Sequence, residues 1–132
     1  MEVYSIQQLV AEAKKDILEF DVVKVDSLIK EGATLLIDVR EPDEFAQGHI
    51  LDAINVPRGV LEFRADQTNP NALEELSDKS VQLIVYCRSG ARSALAAQVL
   101  GVLGYKSVIS MAGGYLAWEA AQLHTSIDYI YR

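Results

Sequence analysis

The 132-residue chain has one cysteine, two histidines and three prolines, and no apolar run near the ~18 residues needed to cross a bilayer. One cysteine cannot form an internal disulfide, which fits a reducing compartment. Cys87, His49 and His124 lie too far apart in sequence for ordinary zinc-ligand spacing, so no metal and no other cofactor is expected. Basic residues are also scarce, with 12 Lys+Arg against 19 Asp+Glu for a net charge of -7. Over most of such a surface a polyanion is repelled, so no nucleic-acid partner is expected. The start MEVYSIQQLVAEAKK lacks the basic-then-apolar order of a secretory signal, so a protein with no membrane partner and a cytoplasmic location is expected.

The length suits one core. Ser5 followed by Gln8 has the form of a capping box, and Ile6, Leu9, Val10, Ala13 and Ile17 recur at helical spacing, predicting a helix over 5–19. A short helix over 24–31 is stopped by Gly32, with a brief strand expected at 21–23. TLLIDV (34–39) and VQLIVY (81–86) are short and nearly continuously apolar, as strands covered on both faces are. AINV (53–56) and SVISM (107–111) are weaker strands. EPDEFAQ, RGVLEFRA, ALEEL and ARSALAAQVLGVLG read as helices, and DQTNPN (66–71) as an exposed loop. This alternation predicts an α/β fold, a parallel sheet with helices on both faces.

In such sheets ligands gather beyond the carboxyl ends of the strands. Cys87 stands at one of these ends, and Arg88, Ser89, Gly90, Ala91, Arg92 and Ser93 follow into a helix. Backbone N–H groups of that turn can converge on one centre as an anion nest, with Gly90 easing the curl. A helix dipole contributes about 0.3–1 kcal/mol, whereas each hydrogen bond to a charged acceptor contributes about 1.5–3 kcal/mol, so the amides should dominate in holding Cys87 as a thiolate. Lone cysteines are more often inert core residues, but two arginines, a glycine and a helix start are not what an inert filler requires.

Three stretches in order carry a resemblance. LLIDVREPDEFAQGHILDAINVP (35–57), CRSGARS (87–93) and MAGGYLAW (111–118) resemble the signatures of the rhodanese family of sulfurtransferases, over roughly Val22 to Leu123. The resemblance implies a rhodanese-like three-layer fold, with an N-terminal helical extension (1–20), a rhodanese domain (21–124) and a C-terminal tail (125–132). It implies that Cys87 carries sulfur as a persulfide inside the 88–93 cradle. An anionic donor, thiosulfate or a persulfide, would supply the sulfur, and cyanide or a thiol would accept it. Related phosphatases have a loop one residue longer, so four residues between Cys87 and Arg92 favour sulfur chemistry, and Arg88 directly after the cysteine favours thiosulfate-like donors over mercaptopyruvate.

Asp38, at the end of the first signature strand, is expected to pair with Arg92 and fix the loop. Arg58 is a candidate for receiving an anionic donor, with a solvated helix start as the alternative. Arg40 and Glu41 read as structural or rim residues, His49 as a hydrogen-bonded structural histidine, Gly113 and Gly114 as sites of close backbone approach, and Trp118 as packing. The first helix either covers the domain edge, the favoured reading, or joins two copies. Against the enzyme stand a sulfur-carrying or regulatory module that serves a protein partner without turnover, and a phosphatase of the same fold.

Overall fold

The computed structural model describes residues 3–126. Its centre is a five-stranded sheet, all parallel, in the order β1-β5-β4-β2-β3, with β1 Leu18–Phe20, β2 Thr34–Asp38, β3 Ile54–Asn55, β4 Gln82–Tyr86 and β5 Val108–Met111. Among the described residues the α-helices are α1 Ile6–Lys14, α2 Val22–Glu31, α3 Pro42–Ala46, α4 Leu61–Ala65, α5 Ala91–Val102 and α6 Gly114–Ala120.

The apolar runs behave as buried parallel strands should, because alternate residues enter opposite layers. Ile37, Val85 and Cys87 face one side with Leu61, Ala96 and Leu100 of α4 and α5. Leu36, Ile84, Tyr86 and Met111 face the other with Val25, Tyr115 and Trp118 of α2 and α6. Each fully buried large side chain contributes about 1.5–3 kcal/mol. Helices therefore cover both faces of the central parallel sheet, as the sequence predicts.

Two expectations near the start are corrected. The helix over 5–19 ends at Lys14, and the strand lies at Leu18–Phe20, where it pairs with Ile109–Met111, rather than at 21–23. Asp21 caps α2 instead, its side chain accepting from the Lys24 N–H at 2.9 Å, so Val22 and Val23 are helical. The capping box at Ser5 and Gln8 is present, and α1 packs against α5 with Ala13 buried. ALEEL yields only one 3-10 turn, Glu74–Leu76. No helix among the described residues is long and apolar enough to cross a membrane. Of the tail, Thr125 bridges Ile50, and residues 127–132 lie outside the described region.

Candidate active site

Strand β4 ends at Tyr86 and α5 begins at Ala91, so the segment between them crosses the carboxyl edge of the sheet. Gly90 caps α5 at φ 112°, a left-handed conformation that favours glycine, and turns the chain back over Cys87. The result is a partial ring. The Gly90 N–H donates to Cys87 Sγ at 3.1 Å and the Ser93 N–H at 3.4 Å, while the Cys87 thiol meets Ser93 Oγ at 3.6 Å. Cys87 is 1% exposed and borders the apolar layer, yet backbone donors point at its sulfur, an arrangement an inert core thiol does not need.

The ring is held from outside by a second backbone. The N–H of Tyr115 donates to Cys87 O at 2.8 Å and that of Leu116 to Arg88 O at 3.1 Å, which binds the start of α6 to the loop. This approach requires glycine at 114: φ is 60°, and a Cβ there would lie 2.6 Å from Ser89 N and collide with the Arg88 carbonyl. The close approach read from the Gly-Gly pair is thus present.

The structure overturns the expected Asp38–Arg92 pair. Asp38 is fully buried and bonds Arg40, which reaches it through Nε at 3.0 and 3.1 Å and Nη2 at 2.7 Å, with Nη2 also donating to Gly48 O at 2.8 Å. Arg92 pairs with Glu44 instead, Nη1 to Oε1 at 2.7 Å and Nη2 to Oε2 at 3.1 Å. The two-residue spacing that puts Asp38 and Arg40 on one side of the extended chain favours the local pair, leaving Arg92 to a carboxylate from α3. Burial pulls the Arg40 guanidinium down, but the hydrogen bond and charge of Asp38, together with Tyr86 and Glu44, outweigh it and the net shift is upward. The bond to Arg92 lowers the Glu44 carboxyl from 4.5 to about 2. Burial first, then the charge of Asp38, pushes the Tyr86 phenol well above its ordinary value, so it stays neutral, its oxygen accepting from Ile50 N–H at 3.0 Å.

The other named residues divide. Arg88 and Ser89 are exposed at the rim, Ala91 is exposed on α5, and Ser93 is buried beneath the ring. Arg58 pairs with Glu62 at 2.8 Å, and its N–H donates to Val39 O at 3.0 Å. His49 stacks on Phe45 with ring centroids 3.6 Å apart, its Nδ1 lying 2.9 Å from Phe45 O, a structural setting. Trp118 is buried and donates to His124 O at 3.0 Å. Glu44 and Ser110 are additions that the linear sequence did not single out. Ser110 Oγ lies 2.8 Å from Ser93 Oγ, from a strand position paired with Val85, and no local pattern signals such a partner.

The chain is similar to known proteins. The rhodanese-like domain model matches residues 21–121. "Thiosulfate sulfurtransferase 16, chloroplastic" of Arabidopsis thaliana is 41% identical over 92 residues, covering 67% of this chain and 77% of that protein. Among solved structures, a human single-domain sulfurtransferase is similar at 30% identity and TM-score 0.69, covering 77% of this chain and 95% of that one. A Rhodopseudomonas palustris protein of unknown function, described as a "Possible Tyrosine Phosphatase", has TM-score 0.88 and 31% identity, covering 94% of this chain and 96% of that one. With the family model spanning four of the five strands, the sulfur-centred loop and the glycine at 114 that braces it, the chain belongs to the rhodanese-like sulfurtransferase family.

Proposed function

We propose that this protein is a thiosulfate sulfurtransferase that turns over through a persulfide on Cys87. The observation that carries the reading is the convergence of the Gly90 and Ser93 N–H groups on Cys87 Sγ, at 3.1 and 3.4 Å. Such donors stabilise a sulfur anion without a neighbouring base. With Sγ so little exposed, a donor must present a thin terminal atom to it, as the outer sulfur of thiosulfate does.

The Cys87 thiolate attacks that outer sulfur, a new S–S bond forms, the old one breaks, and sulfite departs with the bonding pair. Cyanide or a thiolate then attacks the terminal sulfur of Cys87 and returns the electron pair to Sγ, closing a ping-pong cycle. The chain has no second cysteine, so release falls to an external acceptor. In this reading Arg88 to Ser93 form the cradle, Asp38 acts through Arg40 as a support of the strand end, Arg58 is a candidate for steering an anion, and the reaction is cytoplasmic.

The decisive experiment incubates the protein with thiosulfate and cyanide and follows thiocyanate, with intact mass measured after thiosulfate alone. Turnover together with a gain of one sulfur atom, both abolished in Cys87→Ser, supports the enzyme. Loading without turnover points instead to a carrier that serves a protein partner. The name attached to the Rhodopseudomonas protein keeps a phosphatase in view. Cys87-dependent hydrolysis of an aryl phosphate would establish it, and the short loop argues against it.

A further inference from the structure

Beside the loop, between α3, α6 and Arg88, opens a cleft of about 160 Å³. Arg40 lines it and is 5% exposed. Its Nε and Nη2 are taken by Asp38 and Gly48, whereas no acceptor among the described residues meets its Nη1. The guanidinium lies 4.4 Å from the Tyr115 ring centroid, which helps hold it in place. Arg88 lines the same cleft, exposed and without a side-chain hydrogen bond or ion pair among the described residues. Two carboxylates complete the lining. Glu44 is committed to Arg92, but Glu119 of α6 is exposed and has no such partner among the described residues.

Among the described residues the cleft therefore offers two cations with open donors and one carboxylate without a partner. A dianion such as thiosulfate would be drawn to the arginines but repelled by Glu44 and Glu119, and cyanide has no group for the cleft to read. A molecule with a carboxylate and an ammonium satisfies both signs. The cleft also begins one residue after the reactive sulfur, and the α6 amides that bond Cys87 O and Arg88 O keep its wall in register with the ring.

We propose that this cleft holds the head group of the sulfur acceptor: a zwitterionic thiol, of the amino-acid or small-peptide class, with its carboxylate on Arg40 and Arg88 and its ammonium on Glu119. The proposal rests on the sulfurtransferase reading. In the step it serves, the acceptor thiol gives its proton to solvent and its thiolate attacks the terminal sulfur of the Cys87 persulfide. The Sγ–S bond breaks, its electron pair stays on Sγ, and the acceptor leaves as its own persulfide.

The test loads the protein with thiosulfate, verifies one added sulfur by intact mass, and measures discharge against acceptor concentration. Cysteine and glutathione are each compared with their N-acetylated forms in wild type and in Glu119→Gln. Comparing the two proteins cancels the intrinsic reactivity of each thiol. Blocking the amine should raise the half-saturating concentration about tenfold more in wild type than in the variant. Discharge by 2-mercaptoethanol, which carries neither charge, should be the same in both proteins. An N-acetyl penalty of equal size in both proteins overturns the subsite and leaves the sulfurtransferase standing. Failure of Cys87 to gain sulfur overturns both.

Discussion

Glu44 and Arg92 are 48 residues apart and meet in a two-pronged ion pair, 2.7 and 3.1 Å long, that links α3 to the first turn of the helix behind the Cys87 loop. Glu44 Oε1 also accepts from the Glu41 N–H at 3.0 Å, so the carboxylate is aimed before Arg92 arrives. The pair braces the loop from one side as the Gly114 contact braces it from another.

This pair predicts a pH dependence. Glu44 titrates near 2 when folded against an ordinary 4.5, so its contribution is fully present above about 4.5 and is lost as pH falls toward 2. The side chains are 37% and 28% exposed, which limits the contribution to roughly 1 kcal/mol. Urea unfolding of wild type and Glu44→Gln should therefore show a stability gap at neutral pH that closes through this window. A gap unchanged down to pH 2.5 would contradict the assignment.

Asp38→Asn should cost more. It leaves the Arg40 guanidinium buried without its counter-charge, and breaking such a pair typically costs about 3–5 kcal/mol. Removing both charges in Asp38→Asn/Arg40→Met should recover part of that loss in denaturant melts. If the double variant is less stable than the single by the full cost of a second lesion, the two residues do not act as a pair.

Gly114→Ala tests the brace on the loop. The methyl group meets the Arg88–Ser89 peptide, and the positive φ adds strain, so the loop must shift. Thiocyanate formation should fall at least about tenfold, since a displacement near 1 Å costs on the order of 100-fold in a positioned reaction. Circular dichroism should retain the α/β signal. Wild-type turnover in this variant would show that α6 does not set the ring.

Ser93→Ala should destabilise by about 1–3 kcal/mol, because it strips the buried Ser110 hydroxyl of its 2.8 Å partner. Adding Ser110→Ala should then cost little, and the double-variant cycle reports the coupling. Strictly additive losses would mean that the two hydroxyls are independent.

Legibility followed the range of the interaction. The strands at 34–39 and 81–86, the Ser5 cap and the Gly32 stop depend on neighbours within a few residues, and all appear within a residue or two of where the sequence places them. Leu18–Phe20 did not announce itself, because its pairing with Ile109–Met111 is a contact between chain ends. The partner of Asp38 departs from expectation for the opposite reason: the carboxylate bonds the nearby Arg40 and not the distant Arg92.

What the linear order of residues settled was the type of architecture and the place of Cys87 at the turn between a strand and a helix, since apolar runs and a Cys-to-helix turn write their consequences locally. Only the folded chain settled which charges meet, because pairing among twelve basic and nineteen acidic residues is chosen by strand register and helix placement, and those emerge when the sheet closes.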